Sequence, residues 1–416
     1  MAAPSGRLRP RFLLAGVGLT MLLIALVATG VGLSRRAQQA QPRPAAPNVT
    51  TWDVQAALDD ATAALLGRDR AAWDAALPAS SSGARHGADV LYRRLARLPW
   101  TDLRIIAEAV RGRPGRFYVG AVGEVGGAGP ADRIMARRVF DAGLRDGRLV
   151  LLDDVTPRDL RGQDVMAFDR PVAVRRNGLV VIADKGERAA AEALAAAGAP
   201  ARKRLGFLGI SAGEPVVVYY YSSRRQLLRS LGEDPGESRI RFFSHAPMRL
   251  RDVPTWTRDI GVLGPALRGK ASWTPRMLAH EMTHAYTSRW FEGARHAPTL
   301  LAEGLATAVE GGRSFEPLRD DLASPEPAFP LEKALKAKSL WKGNRIEKVR
   351  LAYLEGASLV LYVRDRWGLR GLKEFVAAVS DSDLTSEGLE AAARQSVGLS
   401  WNELRSGWEA FVETLP

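Results

Sequence analysis

Two histidines, His280 and His284, stand four residues apart, and this spacing constrains the fold more than any other feature of the chain. Four residues make about one helical turn, so on a helix both imidazoles lie on one face and can bind the same cation. Glu281 falls on nearly the same face. Thr274 is a good N-cap and Pro275 suits the first helical position, which favours a helix here. Its buried face is predicted from the apolar residues Met277, Leu278, Met282 and Ala285.

The pattern His-Glu-x-x-His is typical of zinc hydrolases, in which the histidines bind the metal and the glutamate accepts a proton. A catalytic zinc usually has three protein ligands, so one more must come from elsewhere in the chain. Glu303 is the best candidate. It lies in a second predicted helix, opened by Pro298 and closed at Gly311-Gly312. A turn over residues 290–297 would bring the two helices side by side.

These residues resemble a known family. His280, Glu281, His284 and a glutamate 19 residues further on, in Glu303-Gly304-Leu305-Ala306, are similar to the gluzincin branch of the zincin metallopeptidases, and in particular to the peptidase MA-like family. The resemblance implies Zn²⁺ bound by His280, His284 and Glu303, with Glu281 as the general base in the hydrolysis of a peptide or protein substrate. It also implies a helical C-terminal part.

Tyr353 stands where peptidase MA relatives similarly carry a tyrosine. The resemblance implies a catalytic phenol that donates a hydrogen bond to the oxyanion formed during amide hydrolysis. An ordinary packing role for this tyrosine remains equally open. Glu355 is expected on the helix surface, or as a partner that orients a zinc-binding histidine.

Other metal and substrate assignments fit the sequence less well. A metzincin would need glycine at 287 and histidine at 290, where this chain has Thr287 and Trp290, so His296 is not expected to be a third ligand. His86 is expected in a surface loop, and His245 is expected to be structural or exposed. The chain has no Gly-x-Met-Glu-Asn segment, the amine-recognising signature of gluzincin aminopeptidases, which favours an endopeptidase. A catalytically inert, zinc-stabilised binding or scaffold protein of the cell envelope is the alternative function.

The N-terminus is predicted to be a membrane anchor. The 22 residues Phe12–Leu33 carry no charge and are long enough to cross a hydrocarbon core. We expect an uncleaved single-pass anchor with the catalytic domain outside the cytoplasm, or a secreted protein if the segment is cleaved.

Composition limits the possible partners and metal ligands. The chain has no cysteine, which excludes disulfides, thiolate zinc sites and cysteine nucleophiles. Its formal net charge is +13, but the arginines are spread along the whole chain and no basic stripe with interleaved aromatics is present. Nucleic acid is therefore not expected as a partner. The surplus favours contact with anionic lipid or cell-wall polymer.

The order of predicted elements indicates an α+β fold. We divide the chain into an N-terminal segment (1–36), a linker (37–50), a small domain (51–167) and the zincin-like metallopeptidase domain (168–416). Helices followed by an antiparallel sheet in the small domain resemble cystatin/NTF2-like domains, which are often found beside peptidase MA modules.

The predicted metallopeptidase domain begins with alternating strands and helices, including a helix over 187–205, and continues into a mostly helical C-terminal part. In gluzincins the strand before the active helix commonly edges the cleft, where a substrate backbone pairs with it. Ile260–Gly264 is the candidate for that strand. A Pro-rich loop is predicted over 315–330, followed by helices over 331–340, 346–367, 369–379, 386–397 and 401–415.

Overall fold

The computed structural model describes residues 49–126, 134–157, 164–211, 215–231, 242–244, 259–267, 272, 274–291, 294–324, 330–337, 340 and 345–416. The predicted anchor Phe12–Leu33 and His245 lie outside these residues. Within them, no helix has both the length and the apolar character needed to span a membrane.

The N-terminal part consists of three helices and a four-stranded antiparallel sheet. The helices are α1 (Thr51–Leu66), α2 (Arg70–Ala76) and α3 (Ser82–Leu95), and the strands are β1 (Trp100–Ala109), β2 (Arg116–Val125), β3 (Ile134–Arg145) and β4 (Arg148–Asp154). The strands pair in sequence order, as expected for a meander of hairpins. The helix α1 buries Val54, Leu58, Ala61 and Leu65, which recur at helical spacing, and it packs on β1.

A five-stranded mixed sheet follows. Its strands are β5 (Pro171–Arg176), β6 (Leu179–Asp184), β7 (Val216–Tyr221), β8 (Phe242–Ser244) and β9 (Asp259–Leu263), in the order β5-β6-β7-β9-β8. The central strands β6, β7 and β9 are parallel, whereas the edge strands β5 and β8 are antiparallel to their neighbours. Helices α4 (Arg188–Ala196), α5 (Gly198–Leu205) and α6 (Arg224–Leu231) lie between the strands in the chain.

The two faces of this sheet belong to different hydrophobic cores. Along β7, Val216, Val218 and Tyr220 pack with the C-terminal helices, whereas Val217, Tyr219 and Tyr221 pack with the N-terminal helices and strands. Side chains alternate between the faces of a strand, so a strand covered on both sides is apolar throughout. The N-terminal part therefore shares its core with one face of the second sheet.

The remainder is helical. It contains α7 (Thr274–Thr287), α8 (Thr299–Glu310), α9 (Glu316–Leu322), α10 (Leu331–Lys336), α11 (Ile346–Asp381), α12 (Ser386–Val397) and α13 (Trp401–Val412). The long helix α11 is interrupted at Gly368, whose φ of 68° lies in the left-handed region that favours glycine. This break corresponds to the predicted boundary between two helices at 367–369.

The α+β class and the helical C-terminal part are confirmed, and the differences concern short elements. The predicted helix over 187–205 is two helices, α4 and α5, joined at Ala197. The predicted loop over 315–330 contains the short helix α9. Both differences involve elements of one to three turns, for which local periodicity is a weak signal.

Candidate metal centre

The helix α7 carries the paired histidines. Its buried side includes Leu278, Ala279 and Met282, which pack in the core of the C-terminal half. His280 and Glu281 are buried as well, whereas His284 retains some exposure. The imidazole rings of His280 and His284 lie edge to face, with centroids 5.0 Å apart. One helical turn therefore brings both rings together, as their spacing predicts.

The helix α8 supplies the third candidate ligand, Glu303. It starts after Pro298 and ends at Gly311, whose φ of 63° suits a glycine at the end of a helix. The Oε2 atom of Glu303 lies 3.3 Å from Nε2 of His280 and 3.5 Å from Nε2 of His284. The three residues form a group that could hold a metal ion, with their ligand atoms within 4.8 Å of one another.

These distances fit zinc. In a regular tetrahedron the ligand–ligand distance is about 1.63 times the metal–ligand distance, so zinc bonds of roughly 2.0 to 2.15 Å place ligands about 3.3 to 3.5 Å apart. The two measured distances, 3.3 Å and 3.5 Å, fall in this range. Glu303 Oε2 is buried and has no hydrogen-bond partner among the described residues. A buried oxygen without a partner, facing two imidazole nitrogens, is chemically suited to a cation.

The charges around His280 favour a cation at this position. Burial favours the neutral imidazole, but the carboxylates of Glu303 and Glu310 favour the charged form more strongly and raise the pKa of His280 to about 10. Burial likewise opposes ionisation of Glu303, yet His284 and His280 lower its pKa well below the ordinary value. The carboxylates thus favour a positive charge at this position, and a bound metal would supply it in place of the proton on His280.

Glu281 has the environment of a proton acceptor. Burial raises the pKa of its carboxyl, and the neighbouring histidines oppose this shift only in part. A carboxylate with a raised pKa is a stronger base near neutral pH than an exposed one. Its position between the two histidines on α7 is the one that the sequence predicts.

Tyr353 is brought to the site by α11. Its partly buried ring is nearly parallel to the His280 imidazole, with an interplanar angle of 20° and centroids 6.3 Å apart. The ring therefore lies beside a candidate ligand, while its predicted role as a donor to an oxyanion stays a prediction.

A further carboxylate, Glu310, was not singled out from the sequence. Its Oε2 atom lies 3.3 Å from Nδ1 of His280, on the opposite side of the ring from Glu303. Glu310 follows Glu303 by seven residues, which is two helical turns, so both side chains face α7. This i, i+7 relation is the signal that could have identified it.

Glu355 differs from both expectations for it. It is neither on the helix surface, being 3% exposed, nor an orienting partner of the histidines. The charges that act on its pKa are those of Asp321 and Glu332. Glu310, and not Glu355, is the carboxylate beside His280.

The histidines excluded from the site lie elsewhere. His86 is exposed, but it lies on the helix α3 and not in the predicted surface loop. His296, before α8, is exposed as well. Among the described residues, the His280–His284–Glu303 group is the one that could hold a metal ion.

The prediction that Ile260–Gly264 forms the strand at the edge of the cleft is wrong. Ile260 and Gly261 lie in β9, which pairs with β7 on one side and with β8 on the other. Its backbone groups are therefore already used by neighbours. The edge beside α7 is β8, which packs against that helix and runs antiparallel to β9. Strand order depends on long-range packing, which the local pattern of β9 does not encode.

No protein-family model matches this chain, and no curated protein is significantly similar to it in sequence. The functional interpretation therefore depends on the chemistry of the site residues.

Proposed function

We propose that this protein is a zinc-dependent peptidase of the gluzincin type, similar to the peptidase MA-like family. The observation that carries the proposal is the convergence of His280, His284 and Glu303, in which the carboxylate lies 3.3 Å and 3.5 Å from the two imidazole nitrogens, with Glu281 buried beside the histidines on α7. Two imidazoles and one carboxylate form a donor set typical of catalytic zinc, which retains an open position.

Each residue then has a chemical role. Zinc, when bound, lowers the pKa of water and polarises the scissile carbonyl. Glu281 accepts the proton of the attacking water and returns it to the leaving amine. The burial that raises the pKa of Glu281 suits both steps, because the same carboxyl must first accept a proton and then release it. Tyr353, beside His280, would donate to the developing oxyanion.

The proposed substrate is a peptide or protein, cleaved internally. An extended backbone would pair with β8, which is the last strand of the described sheet and lies next to α7. The proposed location is outside the cytoplasm, anchored in the membrane by Phe12–Leu33, because that segment has the length and composition of a spanning helix.

The test compares full-length wild type with Glu281→Gln and Glu303→Ala. Wild type should bind one zinc per chain and cleave members of a peptide library, with loss of cleavage on chelation. Glu281→Gln should retain zinc and lose cleavage by about 10²- to 10⁴-fold, because the proton acceptor is gone while the ligands remain. Glu303→Ala should lose zinc affinity sharply. Elemental analysis and cleavage assays measure both effects.

Two results would contradict the proposal in different ways. Full cleavage by Glu281→Gln would exclude this residue as the base. Stoichiometric zinc in wild type without hydrolysis of any peptide would instead select the inert, zinc-stabilised binding protein.

A further inference from the structure

His280 lies between two carboxylates of one helix. Its Nε2 atom is 3.3 Å from Glu303 and its Nδ1 atom is 3.3 Å from Glu310, two turns further along α8. The side chains of His280 and Glu310 are 6% and 5% exposed, so water competes little for the contact. Each ring nitrogen therefore faces its own carboxylate, one on the metal side and one behind the ring.

Glu310 is itself held in place. The Nη2 atom of Arg313 lies 2.6 Å from Glu310 Oε2 and supplies the charge that a buried carboxylate requires. Two further arginines fix the backbone at this end of α8. Arg204 donates to the carbonyl of Glu310 at 2.8 Å, and Arg276, from the first turn of α7, donates to the carbonyl of Gly311. The end of α8 is thereby tied to α5 and α7.

The Nδ1 atom of His280 has no completed hydrogen bond among the described residues, and the Glu310 carboxylate is 3.3 Å away. A neutral imidazole carries its proton on one nitrogen, and the hydrogen bond that this nitrogen makes decides which one remains free to bind a metal. In the metal-bound state, an acceptor at Nδ1 therefore keeps the ring proton there and leaves the lone pair of Nε2 for a cation between Glu303 and His284.

We propose that Glu310, held by Arg313, is a positioning residue that accepts a hydrogen bond from Nδ1–H of His280 and so directs Nε2 to the metal. This inference rests on the proposed function for the existence of the metal site, but it does not require hydrolysis. A carboxylate behind a ligating imidazole fixes its orientation and increases its donor strength, and loss of such a partner typically weakens metal binding by about 10- to 100-fold.

The test measures zinc affinity by competition with a chelator, in full-length protein carrying Glu310→Ala, Glu310→Gln or Glu310→Asp. Glu310→Ala should weaken zinc binding about 10- to 100-fold. Glu310→Gln, which keeps a neutral acceptor, should lose less. The visible absorption bands of the cobalt-substituted protein should shift in both, because they report the geometry and donor strength of the ligands. Glu316→Gln removes an exposed carboxylate six residues away and should leave affinity and spectrum unchanged.

Several outcomes separate this inference from the proposed function. Affinity within twofold of wild type and an unchanged cobalt spectrum in all three Glu310 variants would overturn the positioning role alone. Equal weakening by Glu316→Gln would overturn it too, since a general loss of charge would then explain the effect. Weaker zinc binding by Glu310→Ala in a protein that cleaves no peptide would support the positioning role and contradict only the peptidase. Absence of zinc binding by wild type would overturn both. If Glu310→Ala does not fold, as judged by circular dichroism, Glu310→Asp supplies the comparison.

Discussion

Glu355 is a buried glutamate outside the candidate metal site. It lies on α11, it is 3% exposed, and its Oε2 atom has no hydrogen-bond partner among the described residues. Burial, with smaller effects of Asp321 and Glu332, raises the pKa of this carboxyl well above its ordinary value. The folded protein therefore holds the Glu355 proton more tightly than the unfolded chain does.

The sign of the resulting pH dependence follows from linkage. Above the unfolded-state pKa, near 4.5, the unfolded chain releases the proton and the folded protein retains it, so wild type loses stability as the pH rises. The loss is about 1.4 kcal/mol per pH unit until the folded-state pKa is reached. Glu355→Gln keeps the shape without the charge. We expect it to be more stable than wild type at pH 8 and about equally stable at pH 4.5.

Thermal or urea unfolding at the two pH values measures this difference. Glu413→Gln, at an exposed position after α13, is the matched control and should show no such change. The relevant quantity is the difference in unfolding free energy between Glu355→Gln and wild type at each pH. If this difference is no larger at pH 8 than at pH 4.5, Glu355 is not a buried, protonated group.

At the residue scale the sequence indicates the candidate ligands but not the residues that hold them in place. His280 and His284 are four residues apart on one helix, so local geometry alone brings them together. Glu303 lies beside the histidines as soon as the second helix packs against the first, which a short connection between them favours. Glu310 and Glu355 are different, because which of them faces an imidazole depends on how α8 packs on α7 and how α11 packs on α8. That information comes from packing, which residue spacing does not contain.

At the element scale, the approach of α8 to α11 determines where Glu303 and Tyr353 lie. A Cβ atom added at Gly304 would lie 2.5 Å from the backbone carbonyl carbon of Gly356, and one added at Gly356 would lie 2.4 Å from the carbonyl oxygen of Leu300. The two backbones are therefore in contact through glycines. Glu303 precedes one of these glycines and Tyr353 lies three residues before the other.

Gly304→Ala should destabilise the protein and weaken zinc binding together. In an unhindered helix this substitution stabilises by about 1 kcal/mol, because alanine has the higher helix propensity. Here the added methyl group must separate two helices, and such overpacking typically costs about 1 to 3 kcal/mol. Unfolding and chelator competition measure the two effects. Gly206→Ala, where a Cβ atom meets nothing within 4 Å, is the control, and a stabilised Gly304→Ala with normal zinc affinity would contradict this role of the crossing.

The helices and long strands could be predicted because their apolar periodicity extends over several turns or pairs of residues. The same pattern predicts the boundary at 367–369. The structure has the break of α11 there, at Gly368, whose φ is 68°. The order of strands in the second sheet could not be predicted. The short strand β8 carries three residues, too few for a clear periodic pattern, and it pairs with β9 beside the helix α7, which contacts both strands.

At the scale of the whole molecule, the second sheet joins the small N-terminal part to the half that carries the candidate metal centre. Phe168 is fully buried on the N-terminal side of that sheet, where its ring stacks on Tyr219 at 6.1 Å and on Tyr221 at 5.5 Å. The opposite face of the same strand, through Val216, Val218 and Tyr220, belongs to the core of the C-terminal half, which also includes Leu278 and Met282 of α7. Disruption of one face therefore acts on a strand that both cores share.

Phe168→Ala should consequently lower the stability of the metal centre as well as that of the N-terminal part. Removal of a buried phenylalanine side chain costs about 3 to 5 kcal/mol, and because the cores share β7, the loss should appear in one common transition. Thermal unfolding followed by circular dichroism, and zinc release followed by a chromogenic chelator, should shift to lower temperature together. Trp52→Ala, at a position 85% exposed, should leave both unchanged. If zinc release kept its wild-type temperature while an earlier transition appeared in the dichroism, the two parts would unfold separately, and the shared sheet would not couple them.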